Sequence, residues 1–383
     1  MLTPRTSLTR RITTALDATP SRIPVLLGGC GSGRTTLLQQ IRERVGRSAS
    51  QFIDVERTAT TPERFLRALA ASSPFAAPSD PLGARAAFDA ALSFFVKARA
   101  AGGAPATFLL DEFLELRTFE SFPGLRRVLH DFLDGITASD NRFVLTSRYS
   151  ARTLRLLRER SSRFEVIHVP SLTAEDTLDM LGLNDGRDRS DAEHIARTVQ
   201  ALADGRPSYV HALAHELCRM RERGGPGSDD AVSALAASMG MGGHLAHHCN
   251  FCYELRLHRA RGYGALKAIL EILADEEGLT LTEISIRLQR TPGSTKDYLS
   301  WLEDVDLVVS RQKRYSFADS LLRVWVRLHC RPTPPTDDDL AREVHRYALP
   351  RLPQQFEPAL AMAAAGTAPP EDERKGWGII EID

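Results

Sequence analysis

Residues Ile23 to Thr36 read IPVLLGGCGSGRTT. Apolar Pro24, Val25, Leu26 and Leu27 give way abruptly to Gly28, Gly29, Cys30, Gly31, Ser32 and Gly33, and then Arg34, Thr35 and Thr36 lead into a helical run opening Leu37-Leu38. That order is strand, glycine loop, helix. Four glycines in six residues let the backbone curl so that successive N–H groups point inward. Such a curl at a helix N-terminus is an anion nest, because unpaired amides and the helix dipole both favour negative charge there.

The spacing is Gly28, four residues, Gly33, then Arg34 and Thr35. This is the phosphate-binding P-loop pattern, with arginine at the lysine position and Thr35 where a hydroxyl would hold Mg2+. A plain glycine-rich turn has the same local look, so the rest of the chain has to decide between the two.

At 383 residues the chain is too long for one ordinary core, and two or three domains are expected. Lys+Arg and Asp+Glu both number 49, so no overall field draws nucleic acid or an anionic membrane, and any such binding must be local. Five scattered cysteines (Cys30, Cys218, Cys249, Cys252, Cys330), without a signal-peptide apolar region, suggest reduced thiols and a cytoplasmic location. No apolar run approaches the roughly 20 residues needed to span a bilayer, so no membrane partner is expected. The basic, hydroxyl-rich N-terminus has a profile shared with transit peptides. Leu8, Ile12 and Leu16 recur at helical spacing, and the segment is therefore read as a leading helix.

Further strands are expected at Gln51–Glu56, Ala106–Leu110, Arg142–Arg148 and Phe164–Val169, alternating with helices near 36–45, from 61, 84–98 and 125–136. This alternation predicts an α/β fold with a parallel sheet, whose ligands bind beyond the C-terminal ends of the strands. Asp111 and Glu112 end one apolar strand about seventy-five residues after the glycine loop. A strand running into a solvated turn would also end in acids. Beside a phosphate loop, the same pair can serve chemistry: Asp111 for the metal shared with Thr35, and Glu112 to orient or deprotonate water. Ser147 and Arg148 end the next strand, where they would face the γ-phosphate.

Together GGCGSGRTT, FLLDEF, VLTSR and the later Gly205-Arg206-Pro207 resemble a P-loop ATPase of the AAA+/STAND group, and most of all the archaeal-type ATPases. The resemblance covers about Ile23 to Arg331. It implies a three-layer P-loop core in which one strand separates the loop strand from the metal strand, then an all-helical lid and a winged helix. It also implies a sensor at Ser147-Arg148 and a nucleotide contact at Arg206-Pro207. The ligands implied are ATP and Mg2+, held by Gly28, Gly29, Cys30, Gly31, Ser32, Gly33, Arg34, Thr35 and Thr36, with Thr35 and Asp111 on the metal. The departure is Arg34, which implies slow hydrolysis.

The domains expected are 1–22, a leading helix; 23–170, the ATPase core; 171–240, a helical lid; 241–263, a connecting helix; 264–331, a winged helix-turn-helix; and 332–383, one helix and a disordered tail. Gly264 onward supports the winged helix: a helix carrying Leu266, Ile269 and Leu270, the capping box Thr280-Leu281-Thr282-Glu283, a Thr-Pro-Gly turn and a hairpin around Arg311-Gln312-Lys313. The connecting stretch places His244, His248 and Cys252 on one helical stripe, open to zinc or to simple hydrogen bonding. From Arg287 to Arg314, Arg287, Arg290, Lys296, Arg311, Lys313 and Arg314 stand against Asp297, Glu303, Asp304 and Asp306. A net two positive charges favours protein docking or internal packing over tight DNA binding. The expectation is an ATP-dependent switch with a protein partner, a weak DNA contact through the winged helix and a nucleotide-dependent oligomer. The alternatives are a non-hydrolysing nucleotide-binding scaffold and a winged-helix DNA-binding regulator.

Overall fold

The computed structural model describes residues 5–353 apart from 80, 159, 161, 183–188, 225–229 and 259–261. The tail expected at Glu357–Asp372, the apolar Trp377–Ile380 and residues 225–229 lie outside the described residues.

Five parallel strands, β1 (Ile23–Leu27), β2 (Ser50–Asp54), β3 (Thr107–Asp111), β4 (Arg142–Ser147) and β5 (Phe164–His168), are ordered β2-β3-β4-β1-β5. One strand, β4, thus separates the loop strand from the Asp111 strand. Every residue of β1 and β3 is buried, which is why both read as apolar runs and not as alternating ones. Their side chains still divide between the two faces. Leu26, Leu109 and Val144 pack with Leu8, Ile12 and Leu16 of the leading helix Thr6–Asp17, and with Leu37, Leu38 and Ile41 of helix Arg34–Val45. Val25, Leu27, Phe108, Leu110, Phe143 and Leu145 face the opposite core. An edge-to-face aromatic cluster fills that core, with Phe95 5.0 Å from Phe108 and 5.7 Å from Phe132. Because β1, β3 and β4 are adjacent and parallel, the glycine loop, Asp111-Glu112 and Ser147-Arg148 all emerge at one edge.

Past β2 the chain departs from the expected strand end. Val55–Thr58 is a single helical turn capped by Asp54, so Glu56 is carried off the sheet. From Ala174 the chain is helical, opened by a Thr173–Asp176 capping box and continuing through Arg189–Leu202, Pro207–Arg223, Ala231–Met239 and His244–Leu257. Helices Tyr263–Asp275, Leu281–Leu288 and Pro292–Asp304 then pack with an antiparallel sheet of β6 (Leu279–Thr280), β7 (Val308–Arg311) and β8 (Arg314–Phe317), ordered β6-β8-β7. Gln312 and Lys313 take positive φ, 52° and 63°, as a tight two-residue hairpin requires. Helices Ser320–His329 and Asp337–Ala348 follow, joined by an Arg327–Glu343 ion pair at 2.7 Å.

This C-terminal part rests on the α/β core. Asp304 pairs with Arg155 and lies 3.8 Å from Arg152, both on helix Ser150–Leu157. Asp306 accepts from the Ser150 amide at 2.5 Å and the Ala151 amide at 3.5 Å, capping the start of that helix.

Candidate nucleotide site

Helix Arg34–Val45 begins at Gly33, whose φ of 85° only glycine adopts readily, and Gly31 is left-handed too at 74°. Space is equally restrictive: a Cβ on Gly31 would overlap the Ser208 hydroxyl, and one on Gly28 would come 2.7 Å from Ser32 Oγ. The loop therefore needs its glycines both for the curl and for close approach.

Arg34 is only 7% exposed and folds back across the loop. Nη1 donates to the carbonyls of Gly28 and Gly29, the latter at 2.6 Å, and to Ser32 Oγ at 3.0 Å. Nη2 donates to Glu112 Oε1 at 2.5 Å. Next to it, Thr35 Oγ1 donates to Asp111 Oδ2 at 2.6 Å, and Thr146 of β4 donates to Asp111 Oδ1 at 2.5 Å. Thr146 also accepts from the Glu112 amide at 3.0 Å. Burial pushes the Asp111 carboxyl up, only partly opposed by the Thr146 and Thr35 hydroxyls. A hydroxyl and a carboxylate in contact, with Thr35 open to solvent, form a hard-oxygen donor set that suits Mg2+.

Glu112 holds a left-handed φ of 55°, uncommon outside glycine and characteristic of functional turns. The turn directs its carboxylate between two arginines. Oε1 takes Arg34; Oε2 accepts from the Arg148 amide at 3.0 Å, with Arg148 Nε 3.2 Å away but outside hydrogen-bond geometry. Burial alone would raise the Glu112 carboxyl, yet Arg34 and Arg148 outweigh it and hold it below the usual range. Arg148, 5% exposed, also pairs through Nη2 with Glu56. Ser147 is fully buried and its hydroxyl accepts from the Tyr149 amide at 3.1 Å, so Arg148 is the member of that pair that meets the carboxylates.

No family profile matches the sequence, and no curated protein matches it. Among solved structures, a Walker-type ATPase of Pyrococcus abyssi superposes with a TM-score of 0.61 over 85% of this chain and 96% of that one, at 17% identity. The chain has the fold of that Walker-type ATPase. Lesser likenesses include Cdc6p from Pyrobaculum aerophilum (TM-score 0.40, 15% identity, 92% and 96% covered). A STAND protein with a tetratricopeptide repeat sensor from Pyrococcus horikoshii gives 0.34 at 13% identity, covering 93% of this chain and 46% of that one.

The helices after β5 close over the P-loop. The Ser208 amide donates to Gly31 O at 3.1 Å, and Pro207, the first residue of its helix, lies against Gly33. Arg206 lies beside Gly29 but its guanidinium is committed to Asp319: Nη1 donates to Asp319 Oδ2 at 2.5 Å and Nη2 to Ala318 O at 3.2 Å, while Tyr209 Oη donates to Asp319 at 2.6 Å. Asp319 in turn caps helix Ser320–His329 through the Leu321 and Leu322 amides. The cavity left between the loop and these helices is about 110 Å3, lined by Gly28, Gly29, Ser32 and Arg206 among others. Ligand pockets usually measure about 300–1,000 Å3, so this cavity as it stands is smaller than a nucleotide-sized ligand needs.

The His/Cys stripe faces the loop as well. The buried Cys252 thiol donates to Cys30, and His248 Nε2 lies 3.5 Å from both Cys252 Sγ and Ser208 Oγ. That hydrogen bond, with Arg256 and others against opposing burial, holds the Cys30 thiol well below its ordinary range. His244 turns away to the ring of His215, 4.5 Å between centroids. Among the described residues no three His, Cys, Asp or Glu side chains cluster as a metal site.

Sequence reasoning missed Glu56, Thr146, Asp319 and Arg256. Glu56 and Thr146 had a signal, being polar residues at or near the C-terminal ends of sheet strands. Arg256 had none, because one arginine in a polar helix resembles any surface cation.

Proposed function

We propose that this protein binds ATP and hydrolyses it slowly, as a nucleotide-dependent switch. The observation that carries the reading is the contact of Thr35 with Asp111 at the mouth of the glycine nest, with Glu112 directly beside it. Amides of residues 28–33 hold the phosphates, Thr35 and Asp111 hold Mg2+, and Glu112 orients the attacking water once its arginines release it. When bound, Mg2+ would neutralise phosphate charge. Arg148 reports on the terminal phosphate, and Arg206 carries the state of the lid to Asp319. The test is equilibrium binding of Mg·ATP together with phosphate release. Micromolar binding with turnover well under the enzyme median of about 10 per second supports the reading, whereas no ATP binding at millimolar concentration ends it.

Residues 264–331 are read as a winged helix working mainly against protein. In support, Asp304 and Asp306 face the core, Arg287 is paired with Glu276 at 2.5 Å, and Arg314 is bound to Gly278 O at 2.6 Å. Arg290, Lys296, Arg311 and Lys313 are left for phosphate. Any DNA affinity should therefore fall with salt at a log–log slope no steeper than about −4. A sequence-specific complex that survives high salt would show that this face reads DNA instead.

A further inference from the structure

The buried thiols of Cys30, in the glycine loop, and Cys252, on helix His244–Leu257, take no part in the nucleotide chemistry above. Two contacts align the loop with that helix. Arg256 Nη2 lies 3.9 Å from where a Cβ on Gly29 would stand, and His248 Nε2 lies 3.2 Å from the same position on Gly31. Cys30 sits between those two glycines, and Cys252 is four residues from both His248 and Arg256, on one stripe of the helix. The two sulfurs are thereby brought face to face, and the Cys252 thiol donates to Cys30.

The pair is unequal. The hydrogen bond from Cys252 outweighs burial at Cys30, and Arg256, Arg148 and Arg34 add to it, so that sulfur is a thiolate among fixed cations. Cys252 is pushed up by its bond to Cys30 and by burial, and keeps its proton. His248 Nε2, 3.5 Å from the Cys252 sulfur, is placed to take that proton, and burial lowers His248 so that the ring is uncharged. Cys249 on the same helix faces Tyr209 and Asp319 instead of the loop, and burial pushes its thiol up. Access to Cys30 is narrow. It lines the cavity of about 110 Å3 beside the loop, and a water molecule takes about 30 Å3 of liquid, so a two-oxygen peroxide fits where a tripeptide disulfide does not.

We propose that Cys30 and Cys252 form a redox-modification site, at which hydrogen peroxide joins them in a disulfide that pins the connecting helix to the glycine loop. The Cys30 sulfur attacks one peroxide oxygen and the O–O bond breaks. Sulfur keeps that oxygen as a sulfenic acid, while the departing hydroxide takes a proton from solvent and leaves as water. Cys252 then passes its proton to His248 and attacks the sulfenic sulfur. The S–S bond forms, the S–O bond breaks, and the hydroxide released takes the proton from His248 as a second water. The two sulfurs have together lost two electrons, which the peroxide has gained. An added thiol reverses the bond by exchange. With the helix fixed, the cavity beside the loop stays below the volume a nucleotide needs, so oxidation closes the site; this consequence rests on the nucleotide reading above.

The test treats the full-length protein with hydrogen peroxide and follows it by peptide mass mapping and by Mg·ATP binding. A cross-linked peptide joining Cys30 to Cys252 should appear and saturable ATP binding should be lost, and dithiothreitol should restore both the free thiols and the binding. Cys252→Ser should bind ATP as wild type does before oxidation. After peroxide it should give no cross-link and should hold Cys30 as a sulfenic acid, captured by a 1,3-diketone label that wild type does not retain. Peroxide-treated wild type in which Cys30 and Cys252 stay unlinked overturns the inference, whether or not the serine variant folds. A complete cross-link with ATP affinity unchanged overturns the closure of the site. Reduced wild type that binds no ATP yet forms the cross-link ends the nucleotide reading and supports the thiol pair by itself.

Discussion

Glu112→Gln cuts ATP turnover by about 10²–10⁴-fold, the range usual for removing a general base, while Mg·ATP still binds. Asp111 and Thr35 are untouched by the change, so the metal and phosphate contacts persist. Affinity should hold or tighten, because a neutral amide grips Arg34 less firmly and leaves it freer to meet phosphate. The same substitution weakens the nucleotide-free protein. Glu112 lies between two buried guanidiniums, and removing its charge leaves both undercompensated, at a cost of about 3 kcal/mol. The pH dependence has a definite sign. A carboxyl held below its unfolded value of about 4.3 stabilises the fold above that pH and loses the contribution as pH falls through the lower folded value. Thermal melts of wild type should therefore show an acid-side loss that Glu112→Gln lacks. Phosphate release at saturating ATP is the decisive measurement, and unchanged turnover removes Glu112 from the chemistry.

Arg34→Lys should raise turnover by about tenfold or more, roughly 1.4 kcal/mol of barrier, with little change in ATP affinity. The guanidinium here spans the loop, bonded to Gly28 O, Gly29 O, Ser32 Oγ and Glu112. Phosphate can enter only as those bonds are exchanged, and the planar fork then follows the moving oxygens less closely than a compact ammonium would. Lysine carries its donors on one nitrogen and cannot bridge loop and Glu112 in the same way, so it also frees the carboxylate. Ground-state binding should survive because the glycine curl does not depend on residue 34. A lysine variant that loses hydrolysis would make Arg34 the adapted catalytic group of this chain.

What could be read from the sequence was what short segments decide. Alternation of apolar strands and helices, the glycine curl and the acids after Leu110 are local patterns, and so are the capping boxes at Thr173 and Thr280. The order of strands was not in any period; it came through the resemblance, and β4 indeed lies between β1 and β3. The pairings that set the state of the site were hidden for a different reason. Arg148 meets Glu56 across 92 positions and Glu112 across 36, and Arg206 meets Asp319 across 113. Nothing in the character of one surface-type arginine indicates which distant acid will neutralise it.

The cap that Asp306 places on the helix after Arg148 has a consequence for how the molecule comes into being. The carboxylate follows the first amide it caps, at Ser150, by 156 positions. At elongation rates of about 5–20 residues per second, those amides wait roughly eight to thirty seconds on the ribosome for their acceptor. A nascent chain can assemble the five-stranded sheet in that interval, yet the junction next to Arg148 stays open until the last module is synthesised. The turn beside the core's carboxylates therefore acquires this cap only once residue 306 has been made.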